Sequence, residues 1–522
     1  MILKSDVLVI GGGPAGAWAA ITAAAAGASV ALADKGYCGS SGAAAASGSG
    51  IIYTKPDPET RSQAIQSRYT LGGGLSDPEL SMRVLEQTHD NMHQLVEWGY
   101  PCPVGDGQLP YLKSLQGPEY MRLMRKRVKK AGVRILDHSP ALELLVDEEG
   151  VGGAAGVRLQ EGDDWRVEAG AVVIATGGCA FLSNALGSNV LTGDGYLLGA
   201  EAGADMSGME FSNAYYICPT FSSVTKGAFY RYATFYRGDG TPIEGADAMR
   251  GKSIIARTLL QEPVYCRLDR APEHLKPLLR YSQSIFFLPF ERMGIDPFTE
   301  LFPITLRFEG TVRGTGGLDI LNERCETRVP GLYAAGDAAT RELFCGAATG
   351  GGSHNSAWAM SSGVFAGKAA ASYGMGLGQR KHLRVLRGAN SARTDRAMSV
   401  DKQGVNQRWR DHVNAVQQQV APYELNLFRS GDKLKRSLDI LHRTWRQVSA
   451  EDEFSMQMRQ AEAMSATARW MYASALLRTE SRGMHRREDY PATDARYQHR
   501  IVSGGLDRIW AKPLKDGGKV DD

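Results

Sequence analysis

Residues 6–10, DVLVI, form an apolar run rich in β-branched side chains, and its length suits a strand buried on both faces. After GGGPAG, residues 15–26 are dominated by alanine and read as a helix that Gly27 stops; SVALAD then supplies a second strand ending at Asp34. Residues 132–169 carry the alternation of a β-meander. Two further apolar runs follow, AVVIATGG (171–178) and VPGLYAAGDA (329–338), closed by Thr-Gly-Gly and by Gly336-Asp337. Between them AYYICPTF (214–221) and AFYRYATFYR (228–237) concentrate aromatic residues, as a domain core or as the lining of an apolar pocket. Beyond residue 380 the pattern turns polar, and DKLKRSLDILHRTWRQV (432–448) places apolar residues three and four apart, the spacing of a helix with one buried face.

Chemistry enters at the first turn. Gly11, Gly13 and Gly16 have the G-x-G-x-x-G spacing, set between a strand and a helix, with an acid at the end of the next strand. The first glycine makes the turn, the second lets a pyrophosphate approach the backbone, and the third lets helix and strand pack closely. The helix start at Pro14 and Ala15 offers amides and partial positive charge to phosphates, and Asp34 can accept hydrogen bonds from ribose hydroxyls. A dinucleotide is the expected ligand. A second glycine-rich stretch, CGAATGGGSHNSAWAM (345–360), runs straight into a helix. Ordering so many glycines loses much backbone entropy, so that backbone is expected to lie against a ligand.

The totals narrow the classes. At 522 residues the chain has room for two or three domains, and 43% hydrophobic with 22% charged residues describes an ordinary globular protein. A formal net charge of +3 gives no reason to expect nucleic acid as a partner. Seven scattered cysteines include no Cys-x-x-Cys pair, against a zinc site, an iron–sulfur cluster or a redox disulfide, so no metal is expected and a reduced, cytoplasmic compartment is. No basic leader precedes the first strand. The apolar stretch 7–33 is broken by Gly11–Pro14, so no membrane span is expected.

The ordered strand ends, together with TGDGYLLGAEAGADMSGMEF (192–211) and ESRGMHRREDYP (480–491), resemble the fumarate reductase / succinate dehydrogenase / L-aspartate oxidase flavoprotein family, including its adenylylsulfate reductase-like branch. The resemblance implies an α/β fold: a Rossmann-type (GR2) FAD-binding domain with an inserted α+β capping domain and a C-terminal helical domain. The expected divisions are 1–206 and 304–375 for the two parts of the FAD-binding domain, 207–303 for the cap, and 381–522 for the helical domain. It implies FAD as the cofactor. Lys35, Gly42, Ala175, Thr176, Gly177 and Asp194 join the first glycines and Asp34 around it, Ser40 and Ser41 line the ring, Gly336 and Asp337 approach the ribityl chain and pyrophosphate, and Asn355 and Ser356 open a helix toward the isoalloxazine.

Departures from the family pattern shape the functional expectation. GSSGAAAASGSG (39–50) has no histidine for a covalent flavin, so FAD is expected to be non-covalent. ICPT puts Cys218 where the dicarboxylate enzymes have a histidine, FEGTVRGTGG lacks one before Gly316-Gly317, and 345–356 lacks the carboxylate-binding arginine. Without those cationic clamps a C4 dicarboxylate is not the expected substrate. AMRGKSIIAR (248–257) resembles the proton-delivering segment and makes Arg250 the proton carrier or, alternatively, a surface residue in an ion pair. His354 is an acid/base or a loop-amide partner, and Glu309 with Arg313 form either an inward pair at the substrate or an exposed one.

The expected activity is hydride transfer between a small organic substrate and FAD, in a dehydrogenase or reductase flavoprotein subunit. Its electron-transfer partner would be a ferredoxin-like iron–sulfur protein or another subunit, which residues 420–441 favour by their likeness to the adenylylsulfate reductase-like branch. A homo-oligomer is equally compatible. The alternatives are an O₂-using amine or amino-acid oxidase related to L-aspartate oxidase, and a non-catalytic electron-transfer flavoprotein.

Overall fold

Strand β1 (Ile2–Ile10) carries the DVLVI run into the middle of an eight-stranded sheet, where Val7, Leu8 and Val9 have no exposure at all. Helix α1 (Pro14–Ala25) crosses over to β2 (Val30–Ala33), which lies parallel to β1 with Val7 opposite Val30. On the other side of β1 runs the long strand Asp163–Ile174, also parallel, with Ile10 opposite Ile174. The end of that strand pairs in parallel with Leu332–Ala334, Ala334 opposite Ile174. Its first half pairs with the antiparallel strand Gly150–Arg158, which continues the sheet to Ala141–Asp147 as the predicted meander. Ile10, Ile174 and Ala334 therefore end side by side, and the loops that follow them open on one edge of the sheet, where α/β sheets bind ligands. The computed structural model describes residues 1–46, 48–103, 109–225, 227–248, 251–349, 352–390, 407–451 and 454–514.

Helix Gly352–Gly376 packs against α1 with almost nothing between the backbones. A Cβ on Gly363 would stand 2.4 Å from the Ala15 carbonyl oxygen, and one on Gly367 2.4 Å from that of Ala19. The matched step of four residues on both helices makes them parallel. The longer helix thus reaches about ten residues past the start of α1, or ~15 Å at 1.5 Å per residue. Two parallel helix starts, staggered along one cleft, are the frame of the site.

A second, antiparallel sheet has the order Ala214–Pro219, Phe302–Gly310, Val264–Arg267, Thr234–Tyr236. Much of the aromatic sequence forms its core: Phe229, Tyr230, Phe286, Phe287 and Phe290 are buried against one another, with ring centroids 5.1–5.7 Å apart. The strand Phe302–Gly310 runs across the expected division at 303/304 and carries Glu309 out of this sheet to the cleft.

The C-terminal third holds the helices Gln407–Val420, Gly431–Ser449 and Met456–Leu477. It is not wholly helical, however. Ile501–Gly504 and Trp510–Pro513 form a hairpin that joins Met206–Ser207 and Gly317–Leu318 in a third sheet. The terminal stretch LKDGGKVDD lies outside the described residues apart from Leu514.

The ESRGMHRRED signature ties this region down. Arg478 is fully buried, bonding Glu210 at 2.8 Å and Glu480 at 2.9 Å, and it also donates to the carbonyls of Tyr497 and His499. His485 sits between Arg429 (2.9 Å) and the Arg478 carbonyl (3.0 Å), and burial holds it well below the usual histidine range, hence neutral. The amide of Met484 donates to the Ala347 carbonyl at 2.8 Å, so the signature also fixes the glycine-rich loop. Arg478→Met strands the buried Glu210 carboxylate, while Glu480 keeps Arg482 at 2.7 Å. The variant is expected to lose about 3–5 kcal/mol of stability, read as a fall in Tm at fixed FAD concentration; an unchanged Tm would show the network to be dispensable.

Candidate active site

The three strand ends, the two helix starts and the second sheet enclose one cavity of about 1530 Å³, more than a single small ligand fills. Its narrow-walled end is built by the first glycines. Gly11 has φ +110°, and a Cβ there would meet the Ala175 carbonyl oxygen at 2.3 Å, so the turn admits no side chain. Gly16 is closed off in the same way, by the Gly11 carbonyl oxygen at 1.8 Å. Gly13 is the opposite case: a Cβ on it would meet nothing within 4 Å, because it faces the cavity. Gly13 caps α1 without a side-chain hydrogen bond, and no acidic residue stands in the first turn. The leading amides and the helix dipole are thus offered to the cavity, the donor set a pyrophosphate needs.

The remaining predicted cofactor residues line the same cavity. Asp34 accepts from the amide of Gly36 (2.7 Å) and the hydroxyl of Ser41 (2.9 Å), so Ser41 stands at the β2 end of the cleft, with Ser40 and Gly42 beside it. Lys35 and Asp194 pair at 2.6 Å, bridging β2 to the loop before helix Asp194–Glu201, and Ala175, Thr176 and Gly177 complete that wall. The Gly336 amide donates to Ser362 (2.9 Å), and the Gly336 carbonyl accepts from Trp358 (2.9 Å), which hangs the Gly336-Asp337 turn on the long helix. At that helix's start, Asn355 donates to the Val312 carbonyl (3.1 Å), Ser356 lines the cavity, and His354 lies 3.3 Å from the Ser353 hydroxyl.

The far end is cationic. Glu309 and Arg313, four residues apart, form an ion pair at 3.1 Å with side chains 2% and 11% exposed, so the pair is inward and not on an exposed loop. Burial opposes the charge of Arg313, but Glu309 and Tyr216 outweigh it and hold its pKa above the ordinary value. Tyr216, its hydroxyl also pushed up by burial, has Arg313 4.3 Å and Lys252 4.5 Å from its ring centre. Arg250 lies outside the described residues. Cys218 is buried, its thiol pushed up by burial and donating to the Ser222 carbonyl at 3.0 Å, a packing residue rather than a nucleophile.

Two contributors are not among the expected site residues. Arg341, 1% exposed, bonds Asp337 and donates to the carbonyls of Thr311, Val312 and Gly314; it fixes the turn that presents Arg313. Lys252 begins helix Lys252–Leu259 and reaches the cavity wall. Arg341 belongs to a segment whose pattern is ordinary, and Lys252 follows Arg250 by two residues in AMRGKSIIAR; only neighbours in space give either side chain its role. Among the described residues no cluster of metal-binding side chains occurs, and no helix is long and apolar enough to cross a membrane.

Residues 6–221 match the FAD binding domain family, and residues 416–512 match the fumarate reductase flavoprotein C-terminal family. L-aspartate oxidase of Streptomyces coelicolor is 25% identical, covering 98% of this chain and 94% of its own. The fumarate reductase flavoprotein subunit of Mycobacterium tuberculosis is 27% identical and covers 98% of both. The flavoprotein chain of E. coli quinol fumarate reductase superposes with a TM-score of 0.79 over 98% of this chain and 97% of its own, at 20% identity. The glycine cradle with its free amides fits FAD, and with these two family matches in this order the chain is an FAD-dependent oxidoreductase similar along its length to the flavoproteins of the fumarate reductase / succinate dehydrogenase family.

Proposed function

We propose that the chain catalyses hydride transfer between a small organic substrate and non-covalently held FAD, with Glu309, Arg313 and His354 on the substrate side. When bound, FAD supplies the acceptor or donor of the electron pair. The observation that carries the reading is the buried Glu309–Arg313 pair, placed in the same cavity as the Gly11–Gly13 cradle. Arg341 and Asn355 lock the turn between them, so Arg313 is presented without reorganisation. Glu309 offsets one cation, leaving Lys252 against walls of Ile217, Tyr230 and Val312. That balance suits a substrate with one anionic group and an apolar or aromatic part, rather than a C4 dicarboxylate.

Arg250 as proton carrier rests on the AMRGKSIIAR segment. The expected domain divisions serve the same proposal, the cap supplying Tyr216 and Lys252 to a site whose cofactor half is built by the flanking parts. Electrons leaving the flavin are assigned to a separate ferredoxin-like iron–sulfur protein or other electron-transfer subunit, since the chain has no cysteine pair of its own and relatives are themselves named as subunits. Seven free cysteines, most of them buried, suit a cytoplasmic setting. The similarity to L-aspartate oxidase keeps an O₂-using amine or amino-acid oxidase as the second reading.

The deciding experiment is anaerobic bleaching of the yellow protein against amines, acids, enones and thiols, followed by admission of air. One donor is expected to bleach the flavin, with slow return of colour and little peroxide. Rapid return with stoichiometric peroxide favours the oxidase. Failure of every donor, with bleaching by a reduced ferredoxin, would make the chain an electron-transfer module and overturn the proposal.

A further inference from the structure

We propose that Lys252 is the residue that holds the proton exchanged with the substrate. The inference rests on the oxidoreductase reading above and deepens it, because a two-electron dehydrogenation releases a proton that needs a destination in the cavity. One hydrogen of the substrate leaves with the electron pair for the bound FAD. The other leaves as a proton, which the uncharged Lys252 amine takes to become an ammonium; in the reducing direction the ammonium returns it.

The surroundings of Lys252 suit this task. Its Nζ donates to the Tyr215 carbonyl at 3.0 Å and lies 4.5 Å from the centre of the Tyr216 ring, both on the strand Ala214–Pro219. Facing it from Phe302–Gly310 and the turn beyond are Glu309 and Arg313, and Arg231 from the short turn Ala228–Tyr232 lines the same cavity. No carboxylate bonds the Lys252 ammonium among the described residues, because Arg313 has the nearby Glu309. Its own helix start adds partial positive charge. Burial, and after it the Arg313 guanidinium, disfavour the ammonium; Glu309 only partly opposes them, and the amine is pulled down to about 8.

An ordinary lysine near 10.4 stays charged at neutral pH, and an arginine exchanges a proton only if another group replaces it. A lysine near 8 populates both forms in the range where enzymes work, the condition under which proton transfer is efficient. Lys252 therefore fills the role directly, and it also supplies the titrating group that any arginine donor in its segment would require.

Two measurements on the FAD-loaded protein test this. The first is competitive labelling with trace acetic anhydride from pH 6 to 11, with each lysine peptide read by mass spectrometry. Lys252 is expected to label with a midpoint near pH 8, against about 10.4 for ordinary lysines. A midpoint near 10, or no labelling at any pH, overturns the proposal, since the amine would then be charged throughout or out of reach of the cavity.

The second uses the donor found in the bleaching panel. In the dehydrogenating direction the parent's bleaching rate should rise through pH 8. Lys252→Met should lose about 100-fold or more and the inflection, while Lys252→Arg, which keeps the charge, should also lose the inflection. An inflection near pH 8 that survives in Lys252→Met overturns the proposal. The labelling needs no substrate, so its failure removes Lys252 alone, whereas a colourless protein or an unbleachable flavin removes the oxidoreductase reading.

Discussion

Gly13→Asp is expected to yield a colourless protein that is folded and no less stable than its FAD-free parent. The two halves of that result have separate causes. Gly13 is the N-cap of α1 at φ −72°, ψ −173°, an extended conformation any residue adopts, and a Cβ there meets nothing within 4 Å. Aspartate at an N-cap satisfies a free amide, so the apoprotein should gain a few tenths of a kcal/mol over glycine. The same carboxylate occupies the space where the pyrophosphate would lie and takes the amides it needs. Two like charges about 4 Å apart repel by roughly 1 kcal/mol in water and about 4 at an effective dielectric of 20. FAD affinity should fall by about 100-fold or more, read by fluorescence titration of the apoprotein, with Tm of the apo forms as the control. Retained yellow colour at unchanged affinity would mean that α1 does not receive the phosphates.

The second large effect is at the other end of the cavity. Arg313→Met leaves Glu309 buried without its partner and should lose about 3–5 kcal/mol of stability along with bleaching by the donor. Glu309→Leu combined with Arg313→Met removes both charges. Replacing a buried pair by apolar side chains is often close to neutral, so the double variant should recover most of the Tm at fixed FAD. Bleaching should not recover, because the cation that faces the substrate is still missing. A double variant that regained both would make the pair a packing device, and the substrate site would have to be sought elsewhere in the cavity.

Much of the cofactor half was legible beforehand because its demands are local. Gly11 needs a positive φ, Gly13 an open face and Gly16 contact with the preceding turn, and each requirement acts within a few residues of chain. The strand ends at Ile174 and Ala334 announced themselves by apolar runs that stop at glycine, since a strand buried on both faces has no polar position to confuse the pattern. The aromatic runs at 214–237 read first as core and alternatively as pocket, and both readings have a counterpart: Phe229 is core, while Tyr216 lines the cavity. The terminal hairpin was not legible. Val502 pairs with Ser207, nearly three hundred residues away, and no local pattern encodes a strand whose partner is so distant.

The sequence by itself determined the element types around the glycines, the dinucleotide cradle and the family likeness, because these follow from backbone geometry and from residue spacing. Tertiary structure alone decided which side chains share the cavity. It turned Glu309 and Arg313 inward, gave Arg341 the task of holding their turn, and brought Lys252 beside that pair. Charge and proton affinity in a buried cleft depend on what lies within a few ångströms and on how much water is excluded, and neither is a property of neighbours along the chain.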